Sequence, residues 1–406
     1  MFDTITLELL MLGIAGVLII GFLGRALAKK TSVSHIIWLM AFGILIGPIF
    51  GLLNKTTLIS FLPMAVGFVI LLVLFNAGLN IRLNRVVHNA SRGLALSFVV
   101  FFVTFVAVSA TMYFIFGQII PSVLMGLIVG GISLSANRKH NVTSERVSVT
   151  MSLESAIEEP MTIILALVLI SAVLITGPSL TVGYVSGEII SNFSIGIVLG
   201  AVVGMAWVPI MSHLQRKKYE YSYVASLAIV FLLYIVVQVL GGSGPMSALV
   251  FGIFISNGEA IFRSLKYRHS TSFTFTKESK NFNDLVTFLT ISFFFVYFGA
   301  LVDITNYLAF AIGIAISLVI LLARQAGTRL ALSGSDFSAK EKSIISSMTS
   351  RGIGAAVIAA LPISYAIKGT SYFIDVVFSV IIFTLIINSV LLHMSARVKE
   401  DSANGS

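Results

Sequence analysis

Hydrophobic runs of about twenty residues, the length that crosses a bilayer as a helix, follow one another along almost the whole chain. Each is closed by Gly, Pro or charge. Read this way, the pattern predicts thirteen spans, at approximately residues 6–27, 34–53, 61–80, 93–117, 119–136, 147–174, 193–214, 221–240, 245–262, 284–302, 306–327, 341–362 and 371–395. The connections are short, so the chain reads as one transmembrane domain, 1–406, with no soluble part. The longest connection, Arg263 to Asn283, mixes charge with Phe273, Phe275 and Phe282 and is expected to lie along the membrane surface.

Two of the spans are poor helices. Span 5 carries Gly126, Gly130 and Gly131 and then Ser133, Ser135 and Asn137; span 12 carries Ser346, Ser347, Thr349, Ser350, Arg351, Gly352 and Gly354 in its first half. Polar, glycine-interrupted backbone at membrane depth is tolerated only where it lines a cavity or packs on protein. The two lie seven spans apart, and seven is odd, so they cross the membrane in opposite directions. Spans 1–6 and 8–13 then form an inverted repeat, at approximately 6–174 and 221–395, with span 7 (193–214) as a linker and the broken helices crossing near the midplane.

Span 6 holds the densest chemistry. Glu154, Glu158 and Glu159 fall within six residues, and Met161 to Leu174 follows without a charge. An acid at that depth costs at least about 2.5 to 3.5 kcal/mol on insertion scales, which makes it a functional-site candidate. Pro160 has no N–H, so it leaves the carbonyl of Ala156 without its helical donor one turn away. Arg351 reads as the single basic residue deep in a span. It needs a carboxylate partner or a water-filled cavity, and the expectation is a structural ion pair with Glu154 or Glu158. Arg351 does not release its proton, so a second proton, if one is carried, rides on Glu158.

Composition and charge narrow the class. Hydrophobic residues make up 57% of the chain and charged ones 11%, too little charge to solvate a soluble protein of this length. Of the 26 Lys and Arg residues, 23 fall in alternate connections and at the C-terminal end. The opposite connections hold only Lys55 and Lys368. That asymmetry predicts a cytoplasmic C-terminus and an outside N-terminus, and it accounts for the net charge of +9 without a nucleic-acid partner. There are no cysteines and no HExxH motif, so thiolate metal sites and an intramembrane metalloprotease are excluded. No enzyme activity and no cofactor are expected.

These residues resemble the monovalent cation/proton antiporter superfamily, closest to its sodium/proton exchanger branch. Glu154-Ser155-Ala156-Ile157-Glu158-Glu159 is similar to that branch's Glu-Ser-x-x-Asn-Asp signature. Leu74 to Leu79 is similar to its Phe-Glu-Ala-Gly-Leu stretch, and Ser350-Arg351-Gly352 to its Arg-Gly motif. Glu158 stands where that branch has Asn, Asn76 where it has Glu, and Ser133 to Asn137 occupies the region of its Thr-Asp-Pro. The resemblance implies an all-α, roughly thirteen-helix membrane protein with an inverted repeat and two crossing broken helices. It implies a homodimer in a prokaryotic plasma membrane exchanging Na⁺ or K⁺ for H⁺. Glu159 would bind the cation and exchange it for a proton, with Glu158, Ser155, Asn76, Ser133, Ser135 and Asn137 as candidate ligands or carriers. A sodium-coupled organic-anion symporter of similar fold, or a transport-inactive sensor homologue, are the alternatives.

Overall fold

The computed structural model describes residues 4–31, 33–81, 83–133, 144–176, 182–217, 222–264 and 277–403. Among these every regular element is a helix: α1 (Thr4–Thr31), α2 (His35–Ile44), α3 (Lys55–Asn80), α4 (Leu83–Phe116), α5 (Ile119–Ile128), α6 (Glu145–Thr176), α7 (Val182–Arg216), α8 (Ser222–Val239), α9 (Gly244–Ser264), α10 (Lys277–Leu301), α11 (Tyr307–Ala331), α12 (Ala339–Ser347), α13 (Ile353–Ser364) and α14 (Phe373–Ala403). Eight of the described helices are long and apolar enough to cross a membrane. Each of the thirteen apolar runs matches a helix, and the twelfth is split into α12 and α13.

The helices outrun the apolar stretches in places. α4 begins at Leu83 rather than near 93, α10 at Lys277 rather than 284, and α14 continues to Ala403. Hydropathy marks where lipid ends, whereas backbone hydrogen bonding continues into water wherever charged and amide side chains still favour a helix. The start of α10 takes up the end of the expected surface connector, whose residues 265–276 lie outside the described set. The sequence gives no warning that α2 widens into a π turn, Leu45–Ile49. That turn contains Pro48, which cannot donate the ordinary helical hydrogen bond. In α6, by contrast, Pro160 sits inside a continuous helix.

Local caps set several ends. Ser34 accepts from Ile36 N at the start of α2. Asn306 accepts from Ala309 N at α11, and Ser338 with Glu341 forms a reciprocal capping box at α12.

Contacts divide the chain into two compact units. The first comprises residues 1–66, 92–158 and 288–406; the second comprises 67–91 and 159–287. Within the first, Leu96, Val100, Ile132, Val147, Met151, Leu332, Ile345 and Leu392 close one apolar cluster. Within the second, Leu72, Phe75, Tyr223, Val230, Val237 and Phe251 close another.

Each unit contains one close helix crossing built on two glycines. In the first, a Cβ on Gly43 of α2 would strike Val296 O of α10, and one on Gly299 would strike Met40 O. In the second, a Cβ on Gly252 of α9 would strike Phe75 O of α3, and one on Gly78 would strike Leu249 O. Met40 and Gly43 face Val296 and Gly299 in one crossing, and Leu249 and Gly252 face Phe75 and Gly78 in the other. All four pairs have the same i, i+3 spacing. The partners are α2 and α10 in one crossing, α9 and α3 in the other.

Candidate ion-binding site

The first unit brings the two interrupted helices together. α5 ends at Ile128, and α12 ends at Ser347 with α13 restarting at Ile353; between these ends the backbone is extended or irregular. Ser133 N donates to Ser350 O at 3.1 Å, and the Ser350 hydroxyl donates back to Ser133 O at 2.9 Å. Both residues are buried. Unwound backbone at this depth needs such partners because no water is there to supply them. Ser135 and Asn137 lie outside the described residues.

Two ionisable side chains partner backbone groups at these breaks. Glu158, with no solvent exposure, accepts from Ile132 N at 2.9 Å. Arg351 donates from Nε to Val129 O at 2.6 Å. It donates further to Thr349 O at 3.1 Å and to Gly130 O at 3.5 Å. Its positive charge therefore sits on the carbonyl ends of two half-helices, α5 and α12, where the helix dipole is negative. Thr349 ties the same break to α14 through Thr384 O at 3.3 Å.

Glu154 is paired, but with a different arginine. Arg324 of α11, 1% exposed, forms a two-pronged ion pair with it, one prong being Nη2 to Oε2 at 2.8 Å. Arg324 also donates to Ile345 O in the last turn of α12, at 3.1 and 3.2 Å. Glu154, one of the two partners expected of Arg351, is thus taken by Arg324, while Arg351 hydrogen-bonds to backbone carbonyls and its charge acts on Glu158. Sequence reading missed Arg324 because it stands near the end of an apolar run beside basic connection residues. The signal lay in its helical register. Ile316, Ser317, Ile320, Ala323, Gly327 and Thr328 bury one stripe of α11, and position 324 falls on it.

Ser155 is buried on α6, beside Glu154 in sequence. In the second unit Glu159 is partly buried, as is Asn76 near the end of α3. The Asn76 Oδ1 accepts from Asn283 Nδ2 of α10 at 2.8 Å and from Asn80 Nδ2 at 3.3 Å. Asn283 Oδ1 in turn accepts from the hydroxyl of Tyr223, at the start of α8, at 2.5 Å. Neither Asn283 nor Tyr223 was marked by any sequence pattern, since an amide and a phenol near span ends are ordinary there. Among the described residues no group of three or more His, Cys, Asp or Glu side chains is arranged to hold a metal ion.

Comparison with known proteins decides the family. The family model described as sodium/hydrogen exchanger, transmembrane, matches residues 15–397. The chain belongs to that family. Among related proteins, the K(+)/H(+) antiporter NhaP2 of Shewanella sp. (strain ANA-3) is 26% identical over 285 residues, covering 68% of this chain and 47% of the relative. The chain spans about half the length of the NhaP2 relatives it matches. Na(+)/H(+) antiporter 1 of Methanocaldococcus jannaschii is 24% identical over 379 residues, 88% of this chain and 83% of that one. The fold matches the structure of the sodium proton antiporter MjNhaP1 from the same archaeon at pH 8. The TM-score is 0.77 at 21% identity, covering 95% of this chain and 98% of that one. The described residues thus form an all-helical fold that matches the MjNhaP1 antiporter fold.

Proposed function

We propose that the protein is a secondary antiporter that exchanges an alkali cation, Na⁺ or K⁺, for protons by alternating access. The observation that carries this reading is the buried junction of two interrupted helices at Ser133 and Ser350. There a carboxylate meets a backbone N–H and a guanidinium caps the carbonyl ends. Irregular backbone and ionised groups are costly in lipid and mark ion pathways. Family membership and the cation/proton antiporters among its relatives support the same reading.

In this mechanism Glu159 carries the exchange. Cation and proton compete for the same carboxylate oxygens, and competition at one alternately exposed group is sufficient for antiport. Ser155, Asn76 and the segment Ser133 to Asn137, with Ser135, are the proposed sources of further oxygens, and Glu158 is the second acid. Arg324 and Arg351 hold the half-helices and do not carry protons, because a guanidinium stays charged. The repeats run over approximately 6–174 and 221–395 around the linker 193–214. The Lys and Arg distribution supports an outside N-terminus and a cytoplasmic C-terminus, and the working form is a homodimer.

The test is dye-reported proton movement in proteoliposomes on addition of Li⁺, Na⁺, K⁺ or Rb⁺. The reading expects Na⁺ or K⁺ to drive protons across the bilayer. Sodium-dependent uptake of an organic anion in place of proton movement would establish the symporter, and silence towards every cation would establish a sensor homologue.

A further inference from the structure

The second unit contains a chain of side-chain hydrogen bonds of which the exchange mechanism above uses only Asn76. It runs from the Tyr223 hydroxyl to Asn283 Oδ1 at 2.5 Å, and from Asn283 Nδ2 to Asn76 Oδ1 at 2.8 Å. Asn80 closes it, donating to the backbone oxygen of Asn76 at 2.8 Å and to its side-chain oxygen at 3.3 Å. Tyr223 is 3% exposed and is gripped by Phe75 and Phe282, with ring centroids 6.4 and 5.6 Å away. Its hydroxyl is therefore held in place, while Asn76 and Asn283 at the other end are only partly buried.

Such a chain has two directions. A carboxamide keeps its outline when it turns by half a rotation and exchanges oxygen for nitrogen, and a phenol hydroxyl both donates and accepts. In the direction observed, Tyr223 donates, and the Asn76 oxygen is consumed by Asn283 and Asn80. The free edge of Asn76 is then an NH₂ group, which repels a cation. In the opposite direction, Asn283 donates to Tyr223 and accepts from Asn76 Nδ2, and the Asn76 oxygen is released. Asn80 keeps its backbone acceptor in both. The number of hydrogen bonds within the Tyr223–Asn283–Asn76 run is the same either way, but a phenol is a better donor than acceptor, so the resting direction withholds the oxygen.

We infer that Asn283 and Tyr223 are positioning residues that set cation affinity by deciding which atom of the Asn76 carboxamide faces the ion. The inference rests on the reading of Asn76 as a ligand for the transported cation and adds the two residues that control it. A cation that binds Asn76 must reverse the chain, so part of its binding energy goes into turning two amides. The family-like Glu at this position would present oxygen at all times. The Asn of this chain makes affinity conditional on Tyr223 and Asn283.

The test is a double-substitution cycle in proteoliposomes, with KM for Na⁺ and K⁺ separated from kcat. Tyr223→Phe removes the donor that favours the resting direction and is expected to lower KM about three- to tenfold, the effect of one modest hydrogen-bond preference. The kcat is expected to stay within about twofold. Asn283→Leu, which frees the Asn76 oxygen from its nearest donor, is a second probe with the same expected direction should Tyr223→Phe fold poorly. Asn76→Asp presents oxygen permanently, so it lowers KM by itself. In that background neither further substitution moves KM by more than about twofold. A KM shift of equal factor in both backgrounds, or a change in kcat alone, would overturn the inference while leaving antiport intact. A parent protein without cation-driven proton flux would overturn both.

Discussion

Glu154 and Arg324 are each sealed from water, so neither charge is tolerable without the other. Breaking a buried pair from one side costs about 3 to 5 kcal/mol, whereas replacing both partners with apolar residues is often neutral. Arg324→Leu is therefore expected to lower the melting temperature steeply in detergent, and Arg324→Leu with Glu154→Leu to recover most of the loss. A double variant no more stable than the single one would show that Arg324 acts chiefly through Ile345 O. The contrast with Arg351 explains what the residues disclose by themselves. Arg351 stands between Ser350 and Gly352 in an obviously interrupted span, so its depth was legible. Its partners were not, because backbone carbonyls become acceptors only where a helix ends, and the ends of α5 and α12 are set by tertiary packing. Arg324 was invisible for the opposite reason: nothing in its neighbours distinguishes a buried arginine from a surface one.

At the scale of elements, the crossings of α2 with α10 and of α9 with α3 depend on glycine. A methyl group at Gly43 or Gly252 would meet backbone oxygen of the facing helix, which cannot swing aside as a side chain can. Gly43→Ala and Gly252→Ala are each expected to destabilise the protein, by about 1 to 3 kcal/mol as overpacking does. Gly13→Ala in α1 meets nothing within 4 Å and is expected to leave the melting temperature unchanged or higher. Equal effects at Gly43 and Gly13 would contradict the close crossings. The connection from α10 to α11 offers a pH test. The hydroxyl and N–H of Thr305, with Lys55 adding its charge, hold the Asp303 carboxyl below its usual value. A lowered carboxylate stabilises the folded state above its ordinary value, 3.8, and loses that contribution as pH falls through the lower folded value. The stability difference between the parent and Thr305→Val should hold at neutral pH and vanish on acidification below that range. A difference that does not change with pH would assign the effect of Thr305 to packing alone. The broken helices were readable from their Gly and Ser content, but the π turn at Leu45–Ile49 was not, since Pro48 near a span end reads equally well as a simple stop.

At the scale of the whole molecule, the proposed repeats are offset by seven spans, an odd number of crossings that would invert one copy against the other. The paired glycines of α2, α10, α9 and α3 give each unit one close crossing of the same i, i+3 spacing. The central claim is that Glu159 carries the exchange, and it is tested most directly by cation-driven proton flux in proteoliposomes holding either the parent or Glu159→Gln. The account predicts Na⁺- or K⁺-dependent proton movement in the parent. It predicts less than about a tenth of that rate in Glu159→Gln, equivalent to a loss of about 1.4 kcal/mol or more in the barrier, at an unchanged melting temperature. A parent without such flux, or a Glu159→Gln variant that exchanges at close to the parent rate, would contradict it.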